Sequence, residues 1–129
     1  MSAISETGVT PLVLVVDDET PIARVVADLV EDLGLRALTA VDGRQALALA
    51  RTSWPALVIT DMMMPGMGGL ELIAALRAEA ATQGLPRLPI ILMTAASGRS
   101  ARVSDADMFL AKPFDLVHLE ELIVRLTGE

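Results

Sequence analysis

The stretch that decides the fold of this chain is LVITDMMMPG, residues 57–66, in which a short apolar run ends at Asp61 and gives way to a loop. A continuous apolar run of this length predicts a strand that is buried on both faces, as in parallel sheets covered by helices. Open α/β sheets bind their ligands beyond the carboxyl ends of such strands. The carboxylate of Asp61 is therefore the first candidate for a functional group.

Polar or charged residues also follow three other apolar runs. These are residues 12–16 before Asp17 and Asp18, residues 90–93 before Thr94, and residues 108–111 before Lys112. Because the carboxyl ends of parallel strands lie along one edge of a sheet, we expect these side chains to meet Asp61 there.

Helical patterns alternate with the strands. The pair Thr20-Pro21 is typical of a helix start with threonine as the N-cap, and Gly34 is typical of a helix end. A short strand is expected at residues 35–39, and further helices are expected after Gly43, after Gly69 and from Asp115. Five β/α units with right-handed crossovers predict an α/β fold, in which a doubly wound parallel sheet of five strands forms the middle of three layers.

Length and composition fit one folded domain. The chain has 129 residues, of which 53% are hydrophobic, so we expect a domain over residues 11–127 after a flexible tail at residues 1–10. No apolar run approaches the roughly 18 residues that a membrane span requires, and the amino terminus does not resemble a signal peptide. The absence of cysteine excludes disulfides and thiolate metal sites. The expected location is cytoplasmic, without membrane contact.

The charge of the chain argues against a nucleic-acid surface. Its formal net charge is -7 and only 2% of its residues are aromatic. Binding to nucleic acid favours clustered positive charge and aromatic platforms for stacking. We therefore predict no nucleic-acid partner.

The residues at the strand ends suit phosphoryl transfer. Three carboxylates that converge without neutralisation would repel one another, and a divalent cation would relieve this repulsion. Oxygen ligands with open water positions favour Mg²⁺ over a softer metal. An aspartate such as Asp61 can act as a nucleophile, while the Lys112 ammonium and the cation would offset charge on the transferring oxygens.

These motifs resemble those of the receiver domains of two-component response regulators. The resemblance covers residues 12–126, and the matching segments are Val15-Val16-Asp17-Asp18-Glu19, Asp61 with Met64-Pro65 and Gly69, Thr94-Ala95, and Lys112-Pro113-Phe114. It implies the flavodoxin-like strand order 2-1-3-4-5. It also implies a single-domain, chemotaxis-regulator-like signalling protein.

The resemblance assigns the metal site and the phosphoacceptor. Asp61 would accept the phosphoryl group. Asp18 would bind Mg²⁺ directly, Asp17 would assist through water, and Asp61 and the backbone carbonyl of Met63 would complete the protein ligands.

The same resemblance assigns a conformational switch and its partners. Lys112 would pair with Asp61 and then with the phosphoryl group, Thr94 would move to bind a phosphoryl oxygen, and Phe109 would turn inward after it. The donor would be a phosphohistidine on a sensor histidine kinase or a histidine phosphotransfer protein. A downstream protein would bind the face made by the fourth helix, the fifth strand and the last helix. Such a domain promotes its own phosphorylation and slow dephosphorylation but is not an enzyme acting on others.

One segment departs from the family pattern. Lys112 follows Thr94 by eighteen positions, which is shorter than in familiar receivers by about four residues, roughly one helical turn. Val103 is the only sizeable apolar side chain in the polar stretch from Ala95 to Asp105, and a helix needs an apolar stripe to dock. We therefore expect the fourth helix to be short or irregular. Asp105 also stands where the family usually has glycine, which predicts an altered turn.

Three other functions compete with this interpretation. A hydrolase of the haloacid-dehalogenase type wants a second acid two residues after the nucleophile, but this position is Met63. A flavodoxin-like nucleotide or flavin carrier needs a phosphate-binding loop after the first strand, where this chain has Asp17, Asp18 and Glu19. A docking module that works without phosphorylation stays open, because the segment after Thr94 is unusual.

Overall fold

The computed structural model describes residues 10–95 and 105–128. Strands and helices alternate along these ranges until the last two strands. The elements are β1 (Leu12–Val16), α1 (Thr20–Asp32), β2 (Arg36–Ala40), α2 (Gly43–Thr52), β3 (Leu57–Asp61), α3 (Gly69–Gln83), β4 (Ile90–Thr94), β5 (Met108–Ala111) and α4 (Leu116–Thr127).

The five strands form one parallel sheet in the order β2-β1-β3-β4-β5. This confirms the order that the resemblance implied. Alternate residues of β1 face opposite sides of the sheet: Val13 and Val15 pack with α1 and α4, whereas Leu14 and Val16 pack with α2 and α3. Each face therefore has its own apolar core, which gives the predicted three layers and explains why the strands are apolar throughout.

The bounds of the second strand and the start of the first helix differ from the prediction. The second strand is displaced by one residue, to Arg36–Ala40. The N-cap of α1 is Glu19 rather than Thr20, because the extended backbone of Glu19 directs its carbonyl to the N–H groups of Ile22 and Ala23. Pro21 then falls in the first helical turn, where its missing N–H leaves no donor unsatisfied.

The predicted fourth helix, between Thr94 and β5, falls on residues 96–104 and so lies outside the described residues. Within the ranges that are described, no helix has the length and apolar character needed to cross a membrane.

An arginine from α3 holds the start of β5 at the edge of the sheet opposite the carboxyl ends. The Arg77 guanidinium donates to the backbone oxygen of Asp105 at 2.8 Å and to the Asp107 carboxylate at 3.0 Å. Asp107 also accepts from the Ile90 N–H at 2.8 Å and from Arg87 at 2.6 Å. The Asp105 carboxylate lies 3.3 Å from Arg77. Asp105 therefore adds an ion pair at the position where the resemblance expects glycine.

Asp107→Asn is expected to lower the free energy of unfolding by about 2 kcal/mol at neutral pH, because charge-assisted hydrogen bonds are lost. Burial favours a higher pKa for Asp107, but the hydrogen bonds from Arg87, Ile90 and Arg77 outweigh it and hold the pKa below its usual value of 3.8. The stabilisation is therefore complete above about pH 4 and is lost as the pH falls through the lowered pKa.

Urea unfolding of both proteins from neutral pH to the acid range measures this difference, which should shrink as the pH falls. Asp105→Asn is the matched control, because the Asp105 side chain is 67% exposed and should contribute less than about 0.5 kcal/mol. A constant difference at every pH would contradict the assigned ionic contribution.

Candidate functional site

Four of the five predicted side chains lie at the carboxyl ends of four neighbouring strands. Asp17 directly follows β1 and is fully buried, while Asp61 ends β3 with 8% of its surface exposed. Thr94 ends β4 and is 5% exposed, and Lys112 directly follows β5. Because the sheet is parallel, residues far apart in the sequence share this edge, as predicted.

Lys112 joins the acidic residues of the site. Its Nζ lies 3.0 Å from Oδ2 of Asp17, 3.3 Å from Oδ2 of Asp61 and 3.5 Å from Oε1 of Glu19. Its backbone N–H donates to the carbonyl of Thr94 at 2.8 Å, which extends the β4–β5 ladder by one step. The sheet therefore fixes the base of the lysine, and one ammonium is shared among three carboxylates.

The site carries more negative charge than Lys112 neutralises. Burial and the neighbouring Asp17 charge raise the pKa of Asp61 above its usual value, and the opposing effect of Lys112 is too small to reverse this. Burial favours a lower pKa for Lys112, but its contacts with Asp17 and Asp61 outweigh burial and raise the pKa. The lysine is therefore protonated at neutral pH, while ionised Asp61 retains an unfavourable interaction with Asp17.

The carboxylates of this edge fit a divalent cation. Carboxylate oxygens of Asp17, Glu19 and Asp61 all lie within 4.8 Å of one another. Oxygen donors and excess negative charge are what Mg²⁺ and similar hard cations require. Among the described residues, Asp18 does not belong to this acidic group, and its side chain faces solvent. Sequence reasoning did not assign a role to Glu19, although its place directly after Asp17-Asp18 was a signal.

The loop after β3 is fixed by backbone contacts. The Met62 N–H donates to the Met93 carbonyl at 2.9 Å, and the Gly69 N–H donates to the Met62 carbonyl at 2.8 Å. Met63, the predicted carbonyl ligand, lies in this loop and is 70% exposed. The start of α3 therefore packs directly against the chain that carries Asp61.

The two predicted switch residues lie on adjacent strands. Thr94 pairs with Ala111 in the sheet register, and Phe109 pairs with Leu92. Thr94 is buried near Lys112, whereas Phe109 is 41% exposed. The structure thus places Thr94 at the site edge and Phe109 on the accessible edge strand, and their switch roles stay predictions.

A mainly apolar pocket of about 560 Å³ opens beside Asp61 and Lys112. Its remaining lining residues are Ile22, Met63, Ala95, Pro113 and Phe114. The Asp61 carboxylate and the Lys112 ammonium are therefore the charged groups that line a mainly apolar pocket.

Comparison with known proteins agrees with this geometry. Residues 13–124 match the family model for the response regulator receiver domain. The chain is 37% identical over 118 residues to the probable transcriptional regulatory protein TcrX of Mycobacterium tuberculosis, covering 88% of this chain and 47% of TcrX. It therefore spans about half the length of the curated relatives that it matches.

Solved structures give the same result. The receiver domain of the Francisella response regulator 1452 superposes with a TM-score of 0.79 at 30% identity, covering 92% of this chain and 97% of that one. The receiver domain of the Pseudomonas aeruginosa sensor histidine kinase PA1611, solved with a magnesium ion in its active-site cleft, gives a TM-score of 0.80 at 26% identity, covering 92% and 98%. The family match over residues 13–124, together with these superpositions, shows that the chain belongs to the response regulator receiver domains.

Proposed function

We propose that this domain is a phosphoacceptor of a two-component or phosphorelay pathway, and that Asp61 takes its phosphoryl group from a phosphohistidine in a Mg²⁺-dependent reaction. One observation carries the proposal. The Asp61 carboxylate ends a central strand at the site edge, nearly buried, with its Oδ2 3.3 Å from the Lys112 ammonium and the Asp17 carboxylate beside it. The donor would be a sensor histidine kinase or a histidine phosphotransfer protein.

Asp61 is the nucleophile of the proposed reaction. One of its carboxylate oxygens forms a bond to phosphorus while the phosphorus–nitrogen bond of the donor breaks, and the product is an acyl phosphate. Burial and the Asp17 charge, which raise the pKa of Asp61, make its ionised form less stable than that of an exposed aspartate. A less stabilised anion is a stronger nucleophile, so the surroundings favour attack by this particular carboxylate.

Lys112 supplies positive charge to the transferring oxygens. It is positioned by the β4–β5 ladder and kept protonated by its acidic neighbours. Asp17, Asp18, Asp61 and the carbonyl of Met63 are the proposed Mg²⁺ ligands, and the bound ion would neutralise further charge on the phosphoryl group. Asp17 is already held by Lys112 at 3.0 Å, and Asp18, the next residue, is exposed to solvent.

Thr94 and Phe109 are the proposed route from the site to a partner protein. Thr94 would bind a phosphoryl oxygen, and Phe109 would respond on the adjacent strand. The target would bind the face formed by β5, α4 and the segment before β5, part of which lies outside the described residues. Exposed apolar side chains on this face, Phe109 at 41%, Leu116 at 43% and Val117 at 64%, support a protein contact.

The proposed setting is a cytoplasmic signalling domain over residues 11–127 that promotes its own phosphorylation and slow dephosphorylation. Receiver domains act with histidine kinases and downstream effectors rather than on metabolites. Relatives such as TcrX are named transcriptional regulators and are about twice as long as the matched region. The absence of nucleic-acid and membrane partners remains a prediction about this domain alone.

Intact-protein mass spectrometry after incubation with a small phosphodonor and Mg²⁺ tests the proposal. We expect one phosphoryl adduct on the wild-type chain, and we expect a chelator of divalent cations to suppress it. An ordinary receiver domain labelled in parallel shows that the donor is active. No adduct on this chain in that experiment would favour the alternative function, a docking module that works without phosphorylation.

A further inference from the structure

Glu19 contacts the site although the sequence motif assigns it no role. It is the N-cap residue of α1, and its backbone N–H donates to Oδ1 of Asp17 at 2.9 Å. Its side chain is 62% exposed, yet the carboxylate lies 3.5 Å from Nζ of Lys112. The hydrogen bond to buried Asp17 fixes the backbone of Glu19, so the side chain reaches Lys112 from the solvent side.

Two positive charges would compete for the Glu19 carboxylate. The ammonium of Lys112 is one, and it is shared with Asp17 and Asp61. A divalent cation is the other, because an oxygen of Glu19 lies within 4.8 Å of oxygens of both Asp17 and Asp61. A largely exposed carboxylate loses little interaction energy when it changes partner. Asp17, by contrast, is fully buried and holds Lys112 at 3.0 Å.

We propose that Glu19 exchanges the Lys112 ammonium for the divalent cation, so that cation binding removes one of the three carboxylates that hold Lys112. The inference rests on the proposed function, because it concerns the same site. It makes Glu19 a positioning residue for Lys112 and an additional contributor to cation affinity. It also predicts that Glu19 and Lys112 influence the affinity for Mg²⁺ together rather than independently.

Calorimetric titration with Mg²⁺ tests the exchange without requiring phosphorylation. Glu19→Gln is expected to weaken Mg²⁺ binding about threefold in the wild-type background and about tenfold in the Lys112→Met background, where no ammonium competes for the carboxylate. Lys112→Met alone should strengthen binding. Equal effects of Glu19→Gln in the two backgrounds would overturn the exchange.

Two further variants separate contact from general charge. Glu31→Gln removes the same charge from an exposed position of the same helix, about 18 Å along its axis, and should change the affinity less than twofold. Glu19→Asp keeps the charge but withdraws the carboxylate by one methylene group, so it should weaken binding almost as much as Glu19→Gln. Wild-type affinity in Glu19→Asp would overturn the proposal, and this comparison does not require a lysine variant to fold.

Failure of this inference and failure of the proposed function give different results. Wild-type Mg²⁺ affinity in Glu19→Gln, combined with a normal phosphoryl adduct on the wild-type chain, would overturn the role of Glu19 alone. A wild-type chain that binds Mg²⁺ but forms no adduct would overturn the phosphoacceptor function, whatever the behaviour of Glu19.

Discussion

Asp61→Asn is expected to abolish the phosphoryl adduct and, at the same time, to make the domain more stable at neutral pH. Asparagine has nearly the shape of aspartate but carries no anionic oxygen to attack phosphorus. It also removes a charge that the fold holds at a cost, because burial and Asp17 raise the pKa of Asp61. We expect a gain of roughly 1 kcal/mol in the free energy of unfolding.

The pH dependence of stability follows from the direction of this shift. Because its pKa is raised on folding, Asp61 binds its proton more tightly in the folded chain than in the unfolded chain. The unfavourable interaction of ionised Asp61 is therefore present above the raised pKa and is relieved as the pH falls toward the usual value of 3.8. The stability advantage of Asp61→Asn should accordingly be largest near neutral pH and should shrink in acid.

Mass spectrometry with a small phosphodonor measures the adduct, and thermal unfolding at several pH values measures the stability. Asp28→Asn, the same change at an exposed position of α1, should keep the adduct and leave the melting temperature within a few degrees of wild type. An adduct on Asp61→Asn equal to that on the wild-type chain would show that another residue accepts the phosphoryl group.

Gly69→Ala is expected to destabilise the domain by about 3 kcal/mol. A Cβ at this position would collide with the backbone carbonyl oxygen of Asp61 and would lie only 2.9 Å from Cα of Met62. Both neighbours belong to the main chain at the end of β3, so neither can turn aside as a flexible side chain would. The helix start or the site loop must move, and we expect phosphorylation of Asp61 to slow as well.

Gly84→Ala is the matched control, at the other end of the same helix. An added Cβ there meets no atom within 4 Å, but the residue has φ of 63°, so alanine should cost only about 1 kcal/mol through backbone strain. Urea unfolding compares the two variants, and the rate of adduct formation should be normal in Gly84→Ala. Equal destabilisation of both would mean that the close approach of Gly69 to Asp61 is relieved at little cost.

The fold was largely predictable because its signals are local. Each strand is a short apolar run. The apolar runs at residues 12–16 and 108–111 coincide with β1 and β5. The strand order came from the resemblance rather than from the pattern, since apolar runs alone do not fix which strands pair. The Thr20-Pro21 signal predicts Thr20 as the N-cap of α1, one residue after the observed Glu19, because sequence signals locate helix ends only to within one or two residues.

The sequence by itself determined the parallel α/β class, the family, and the convergence of Asp17, Asp61, Thr94 and Lys112. Strand ends carry these residues, and a parallel sheet brings its carboxyl ends to one edge. Only the tertiary structure decided that one ammonium serves three carboxylates, with Glu19 in the group and Asp18 outside it. The reason is physical: which oxygen reaches Lys112 depends on how β1 and α1 direct side chains that stand 93 and 95 residues away from it in the sequence.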